Sequence, residues 1–299
     1  MDTILISGGT GLIGKALQKK LLSKGYKVTI LSRRASNSTS QFHWNIKDDF
    51  IDPIAIQKAD YIIHLAGAGI ADKRWTKKRK KELIDSRVDS TKLLLQKVNE
   101  YNPNLKGFIA ASGIGYYGVI TTEKTYTETS ESGSDFLATI CKLWENESLK
   151  FSTQNIRTVI LRTGVVFSKN GGALEKIVNP IKNGFGAVLG SGNQYMPWIH
   201  MDDLCEMYIH AIENKNVDGV YNAVTSENIT NKELTYKIVN TLKKKILLPP
   251  APSFMLKLIF GKLAIILLEG SKVSSKKIKK TGFKFEYTNI NAALENLLS

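Results

Sequence analysis

Cysteine is nearly missing from this chain: only Cys141 and Cys205 stand among its 299 residues. Two cysteines exclude a disulfide framework and suit a reducing, cytoplasmic setting. The four histidines, at 43, 64, 200 and 210, form no metal-ligand spacing with Cys or carboxylates, so no metal is expected. Long apolar runs are lacking as well. The most apolar stretch, 254–268, is interrupted by Lys257, Gly261 and Lys262, which makes it a buried or surface-packed helix rather than a membrane span. No signal pattern is expected, because the first strand begins almost at Met1. A Gly-x-Ser-x-Gly elbow is absent, which removes that route to a hydrolase.

Positive charge is in excess, with 42 Lys and Arg against 27 Asp and Glu, a net +15. Lysines cluster at 73–81, 243–245 and 276–280. Only Trp75 stands within the first cluster, and no signature of a nucleic-acid-binding fold accompanies any of them. They read as solvated lysine on helix faces, with no nucleic-acid or membrane partner, and part of their field can draw in an anionic cofactor.

The strongest positive signal lies at the start. The apolar run Thr3-Ile4-Leu5-Ile6 leads into Ser7-Gly8-Gly9-Thr10-Gly11-Leu12-Ile13-Gly14, and an amphipathic helix pattern follows. A sharp turn after the strand favours Gly8, close approach of a pyrophosphate favours Gly11, and tight helix packing favours Gly14. The free N–H groups and positive dipole end of the helix face the phosphates. This strand–turn–helix context assigns Gly8, Thr10, Gly11, Leu12, Ile13 and Gly14 to a dinucleotide.

A second strand, Lys27 to Leu31, ends in Ser32-Arg33-Arg34. Binders of NAD usually carry Asp or Glu about 20 residues beyond the glycines, for the ribose 2′-hydroxyl. No carboxylate stands here, and guanidinium groups can instead take a 2′-phosphate. Ser32, Arg33 and Arg34 therefore point to NADP(H) in preference to NAD(H), with Arg33 as the principal ligand.

Further strands are expected at 42–44, 61–65, 107–111 and 158–161, with helices over 77–100 and 136–153. The alternation predicts an α/β fold, a doubly wound parallel sheet of Rossmann type with ligands beyond the carboxyl ends of its strands. Residues 1–166 and 200–224 are assigned to that body. Residues 167–199 and 225–299 form a smaller, mostly helical C-terminal lobe on the substrate side.

These residues resemble an extended short-chain dehydrogenase/reductase, the superfamily of nucleotide-sugar epimerases and dehydratases. The match is carried by the glycine loop, His64-Leu65-Ala66-Gly67, Leu161-Arg162-Thr163-Gly164 and Trp198-Ile199-His200-Met201-Asp202-Asp203-Leu204. More narrowly, Ile70-Ala71-Asp72-Lys73-Arg74-Trp75, Ser86-Arg87, Gly115-Tyr116-Tyr117-Gly118 and Asp135-Phe136-Leu137-Ala138 are similar to an atypical, epimerase-like branch. The resemblance implies that Leu65, Ala66, Gly67 and Arg87 contact the cofactor. It also implies a Tyr-x-x-x-Lys pair, in which the lysine lowers the tyrosine pKa and the phenol moves the proton accompanying hydride transfer. Here those places hold Leu137 and Cys141.

The superfamily's Ser/Thr falls on Gly113, with Ser112 one residue early, and its cofactor-contacting Asn falls on Arg87. The standard mechanism does not carry over. Ser112, Tyr116 and Tyr117 remain as candidate proton relays; the tyrosine pair also reads as packing with a hydrogen-bonded tip, and a phenol relay is slow unless Arg87 or Arg162 lowers its pKa. Cys141 reads as a buried small hydrophobe, His200 as structural, and His43 and His64 as core. Two functions stay open: an NADP(H)-dependent oxidoreductase or epimerase-like enzyme of unnamed small-molecule substrate, and a non-catalytic NADP(H)-binding or sensing module.

Overall fold

A computed structural model describes residues 1–34 and 38–299. Its strands are β1 (Thr3–Ser7), β2 (Lys27–Ser32), β3 (Gln41–Asn45), β4 (Phe50–Ile51), β5 (Tyr61–His64), β6 (Gly107–Gly113), β7 (Thr125–Tyr126), β8 (Thr158–Thr163), β9 (Val165–Phe167), β10 (Trp198–His200), β11 (Gly219–Ala223) and β12 (Lys272–Val273). Its helices are α1 (Leu12–Ser23), α2 (Pro53–Gln57), α3 (Lys77–Tyr101), α4 (Phe136–Leu149), α5 (Ala173–Lys182), α6 (Met201–Glu213), α7 (Asn231–Thr241), α8 (Ser253–Phe260), α9 (Ile265–Leu268), α10 (Lys276–Lys280) and α11 (Ile290–Leu298).

The main sheet runs β11-β8-β6-β5-β1-β2-β3-β4. Its strands pair in parallel except β4, which is antiparallel to β3 at the edge. Parallel strands covered on both faces carry continuous apolar runs, and β5 is buried at all four positions. Alternation divides each strand between two layers. Ile4, Ile6, Ile63, Ile109 and Leu161 pack with Leu17, Leu204 and Tyr208 from α1 and α6. Leu5, Ile62, Phe108 and Ile160 pack with Leu93, Leu94 and Val98 of α3. The order reverses between β1 and β5, so a crevice opens beyond their carboxyl ends, the usual ligand position in such sheets.

A separate apolar core joins β9 and β10 to α5, α7 and α11, through Phe167, Trp198, Leu234, Ile238, Ile290 and Leu294. Another cluster seats Leu263 on Trp75, Leu83 and Ile140, with Phe260 packed beside it. The structure shortens the expected 136–153 helix, since α4 stops at Leu149 and a 3-10 turn follows at Ser152–Gln154. Phe151 explains the break: its ring is fully buried and stacks on Phe108, with centroids 3.7 Å apart. Strand β11 was not legible, because its sequence Gly-Val-Tyr-Asn-Ala holds no continuous apolar run.

Candidate active site

Gly8 closes the turn after β1 with φ +77°, and a Cβ there would lie 2.8 Å from the Leu65 carbonyl carbon. Positive φ and the close approach of the 65–66 backbone both demand glycine. At Gly14 a Cβ would collide with the Gly8 carbonyl oxygen, so this glycine lets α1 press onto the loop itself. Gly11 differs. Its backbone is extended, and a Cβ would approach only the Gly8 oxygen, at 3.3 Å. No side chain caps the helix that begins beside it, which leaves N–H donors free for an anion. Arg33 and Arg34 are exposed at the end of β2, and neither forms an ion pair among the described residues. The Arg34 N–H donates to Ser32 Oγ at 3.1 Å.

His64 fastens the floor of this crevice. Thr91 Oγ1 donates to the Arg87 carbonyl at 2.7 Å and Ser90 Oγ to that of Ser86 at 2.9 Å. Both oxygens are thereby left to accept from Nε2, at 3.0 and 3.2 Å, and Nδ1 accepts from Ser7 Oγ at 2.5 Å. The hydrogen-bond pattern assigns the Nε2–H tautomer. Burial, helped by the Arg87 charge, pushes the imidazole pKa down to about 3. A proton therefore binds the unfolded chain below the ordinary histidine pKa while the folded chain refuses it, and stability falls as pH drops. By about pH 5.5 the loss from this one group should reach about 1.4 kcal/mol. Urea midpoints at about pH 7.5 and about pH 5.5 should differ more in the wild type than in His64→Gln. Equal differences would remove His64 from the acid limb.

Further along the carboxyl edge, Arg162 of β8 and Glu145 of α4 form a buried bidentate pair: Nε to Oε1 is 2.9 Å and Nη2 to Oε2 is 2.8 Å. Burial works against the Arg162 charge, but Glu145 outweighs it and holds the guanidinium above its ordinary value. Ser112 Oγ donates to Glu145 Oε1 at 2.6 Å. Arg162 Nη1 donates to Tyr117 Oη at 3.0 Å, and that phenol donates to Asn222 Oδ1 at 2.6 Å. The guanidinium lies over the ring of Tyr116, 3.3 Å from Cζ to centroid.

A cavity of about 400 Å³ opens beside this network, and its walls include Arg87, Ser112, Gly113, Tyr117, Leu137 and Cys141. Ser112 and Tyr117 thus reach the cavity wall, but Tyr116 is spent on Arg162. The condition for a fast phenol relay is not met at Tyr117: burial raises its pKa to about 12 despite Arg162. Leu137 and Cys141, in the places of the absent Tyr and Lys, close up against the loop. A Cβ on Gly115 would lie 3.2 Å from Leu137 Cβ, and one on Gly113 would lie 3.7 Å from Cys141 Sγ. Burial also pushes the Cys141 thiol up to about 11, which makes it inert as a nucleophile.

Arg87 is buried, yet it has no carboxylate partner among the described residues. Its Nη1 donates to the Leu83 carbonyl at 2.9 Å, and the guanidinium lies 5.1 Å from the Trp144 ring centroid. Desolvation draws its pKa down to about 10. Gly67 leaves room for it, since a Cβ there would lie 2.9 Å from Arg87 Cζ. His200 caps α6 by accepting from the Asp202 N–H at 3.1 Å and stacks on Tyr287. That is the structural role expected of it. Sequence reasoning missed the Glu145–Arg162 pair. Its signal was present: Cys141, Glu145 and Ser148 share one inward stripe of α4, and a carboxylate in such a stripe requires a buried cation.

A parallel sheet reversing beside a glycine loop, with an uncapped helix start and an apolar cavity over the strand ends, defines a Rossmann-type α/β protein. The chain belongs to the NAD dependent epimerase/dehydratase family, whose model matches residues 4–223, and residues 251–297 match a domain of unknown function, DUF1731. It is 32% identical to the human epimerase family protein SDR39U1 over 99% of both chains. Identity to the Bacillus subtilis epimerase family protein YfhF is also 32%, over 99% of this chain and 98% of that one. The crystal structure of human SDR39U1 (isoform 2) with NADPH superposes with a TM-score of 0.89 at 31% identity, covering 99% of this chain and 98% of that one.

Proposed function

We propose that this protein is an NADP(H)-dependent enzyme of oxidoreductase or epimerase-like chemistry, acting on a small molecule in the 400 Å³ cavity. The observation that carries the cofactor reading is the pair Arg33 and Arg34, exposed and unpaired among the described residues beyond an uncapped glycine loop. The NADPH in the human relative's crystal structure supports it. The α1 N-terminus and Gly11 would receive the pyrophosphate, Ser32, Arg33 and Arg34 the 2′-phosphate, and Arg87 the part of the cofactor that reaches the cavity. A nicotinamide held there would supply hydride-transfer chemistry. The chain's own work is to exclude water with Leu137, Cys141 and Trp144, and to hold Ser112 and Tyr117 at the wall.

Arg33→Ala should weaken NADPH by roughly ten- to a hundredfold, the range expected for a lost charge-assisted hydrogen bond. NADH should change by no more than about twofold, since it lacks the phosphate that Arg33 would hold. Calorimetry showing equal losses for the two cofactors would reject this role. One observation favours the second reading, a non-catalytic binding module: the Ser112 and Tyr117 protons are already donated to Glu145 and Asn222. Loss of NADPH absorbance on exposure to a metabolite library separates the two readings. Two buried free cysteines suit a reducing, cytoplasmic setting.

A further inference from the structure

Helix α8 presents its apolar side to water. Leu256 is buried and Phe260 half-buried, which fixes the inward face. The opposite pole is Phe254 and Leu258, one turn apart and 75% and 77% exposed, flanked by exposed Met255 and Ile259. An eight-residue helix docked by a polar outer face would show the reverse pattern. Its C-terminal end is held by Arg74, whose Nη2 donates to the carbonyls of Leu258 and Ile259. The exposed apolar pole is therefore set in place by the fold rather than by fraying.

The surroundings enlarge the patch and give it a sign. Ahead of α8 the chain runs from Lys243-Lys244-Lys245 through Leu247 and Leu248 to Ala251. Ala251 pairs in parallel with Leu189, which sets the segment after Leu247 beside the segment after Phe185. Leu247 is 75% and Phe185 70% exposed. Lys257 lies on the flank of α8 and Lys262 just beyond its end, both exposed. None of these five lysines forms an ion pair among the described residues. Apolar side chains ringed by free lysines are the chemistry of an interfacial helix on an anionic lipid surface.

Position ties this face to the site. Lys257, Lys262, Ile265 and Leu268 line an outer basin with Trp75 and Phe136, and that basin shares Val119, Leu137 and Glu269 with the central cavity. We propose that α8 and its lysines dock the protein peripherally on an anionic bilayer surface, which brings the mouth of the apolar cavity to the headgroup level. The helix lies on the membrane and does not cross it: no helix among the described residues is long and apolar enough to span one. The docking is independent of the reaction proposed above.

Vesicle sedimentation tests this with the full chain. Vesicles of phosphatidylcholine containing roughly a quarter phosphatidylglycerol should pellet the wild type at low salt, and pure phosphatidylcholine at least about tenfold less. Phe254→Ser with Leu258→Ser should cut binding about tenfold or more, since the apolar anchor is lost. Lys257→Glu with Lys262→Glu should cut it several-fold and make what remains less salt-sensitive. Unchanged melting temperatures certify the fold of each variant, and the lysine pair tests the idea even if the apolar pair unfolds. No sedimentation with anionic vesicles, or sedimentation that both pairs leave intact, overturns the proposal. So does a concentration-dependent dimer in light scattering that the Ser pair abolishes, because the patch would then be a subunit interface.

Discussion

Glu145→Ala should lower folding stability by about 3–5 kcal/mol, the range for stranding one member of a buried ion pair. Arg162 and Glu145 side chains are each only 4% exposed, so water cannot replace the missing carboxylate. The same change removes the acceptor of Ser112. It also leaves the guanidinium tied only to the Tyr117 phenol, the Glu128 carbonyl and the face of Tyr116. Glu145→Leu combined with Arg162→Met should cost less than the two single changes added together, because no charge is then left unpaired. An unfolding free energy from urea titration within about 1 kcal/mol of the wild type for Glu145→Ala would mean that the pair is solvated and holds nothing together.

That network also marks the limit of what the chain disclosed as sequence. The glycine loop was legible because its requirement is local: a positive φ at Gly8 and the press of α1 at Gly14 are imposed by a few consecutive residues. The strands β1, β5, β6 and β8 were legible because burial on both faces forces continuous apolar runs. The site chemistry was not, because it is assembled across the sheet. Ser112 meets Glu145 across 33 residues, and Tyr117 meets Asn222 across 105. Nothing periodic announces such partners. Tyr117 and Ser112 were candidate proton relays in the sequence, whereas their protons are engaged in the folded chain, and the phenol is harder to ionise than an ordinary one. Arg87, assigned to the cofactor only through the place of a family asparagine, is a buried cation at the cavity wall with no carboxylate partner among the described residues.

Gly11→Val should abolish dinucleotide binding, with losses above about a hundredfold for NADPH and NADH alike, since both carry the pyrophosphate. The fold should survive. Gly11 has φ −76° and ψ 175°, a conformation open to any residue, and its Cβ would meet only one atom, the Gly8 oxygen at 3.3 Å. The added methyl groups then project into the space in front of the uncapped α1 start, where phosphate oxygens would sit against backbone N–H groups. Gly14→Ala provides the contrast. Its methyl group is driven into the Gly8 carbonyl and lies 2.7 Å from Gly9 Cα, backbone that cannot move aside without reshaping the turn, so it should lower the melting temperature. Calorimetry for binding and thermal melts for stability should therefore separate the two glycines. Wild-type NADPH affinity in a folded Gly11→Val protein would place the cofactor elsewhere, and the assignment of Arg33 to the 2′-phosphate would go with it.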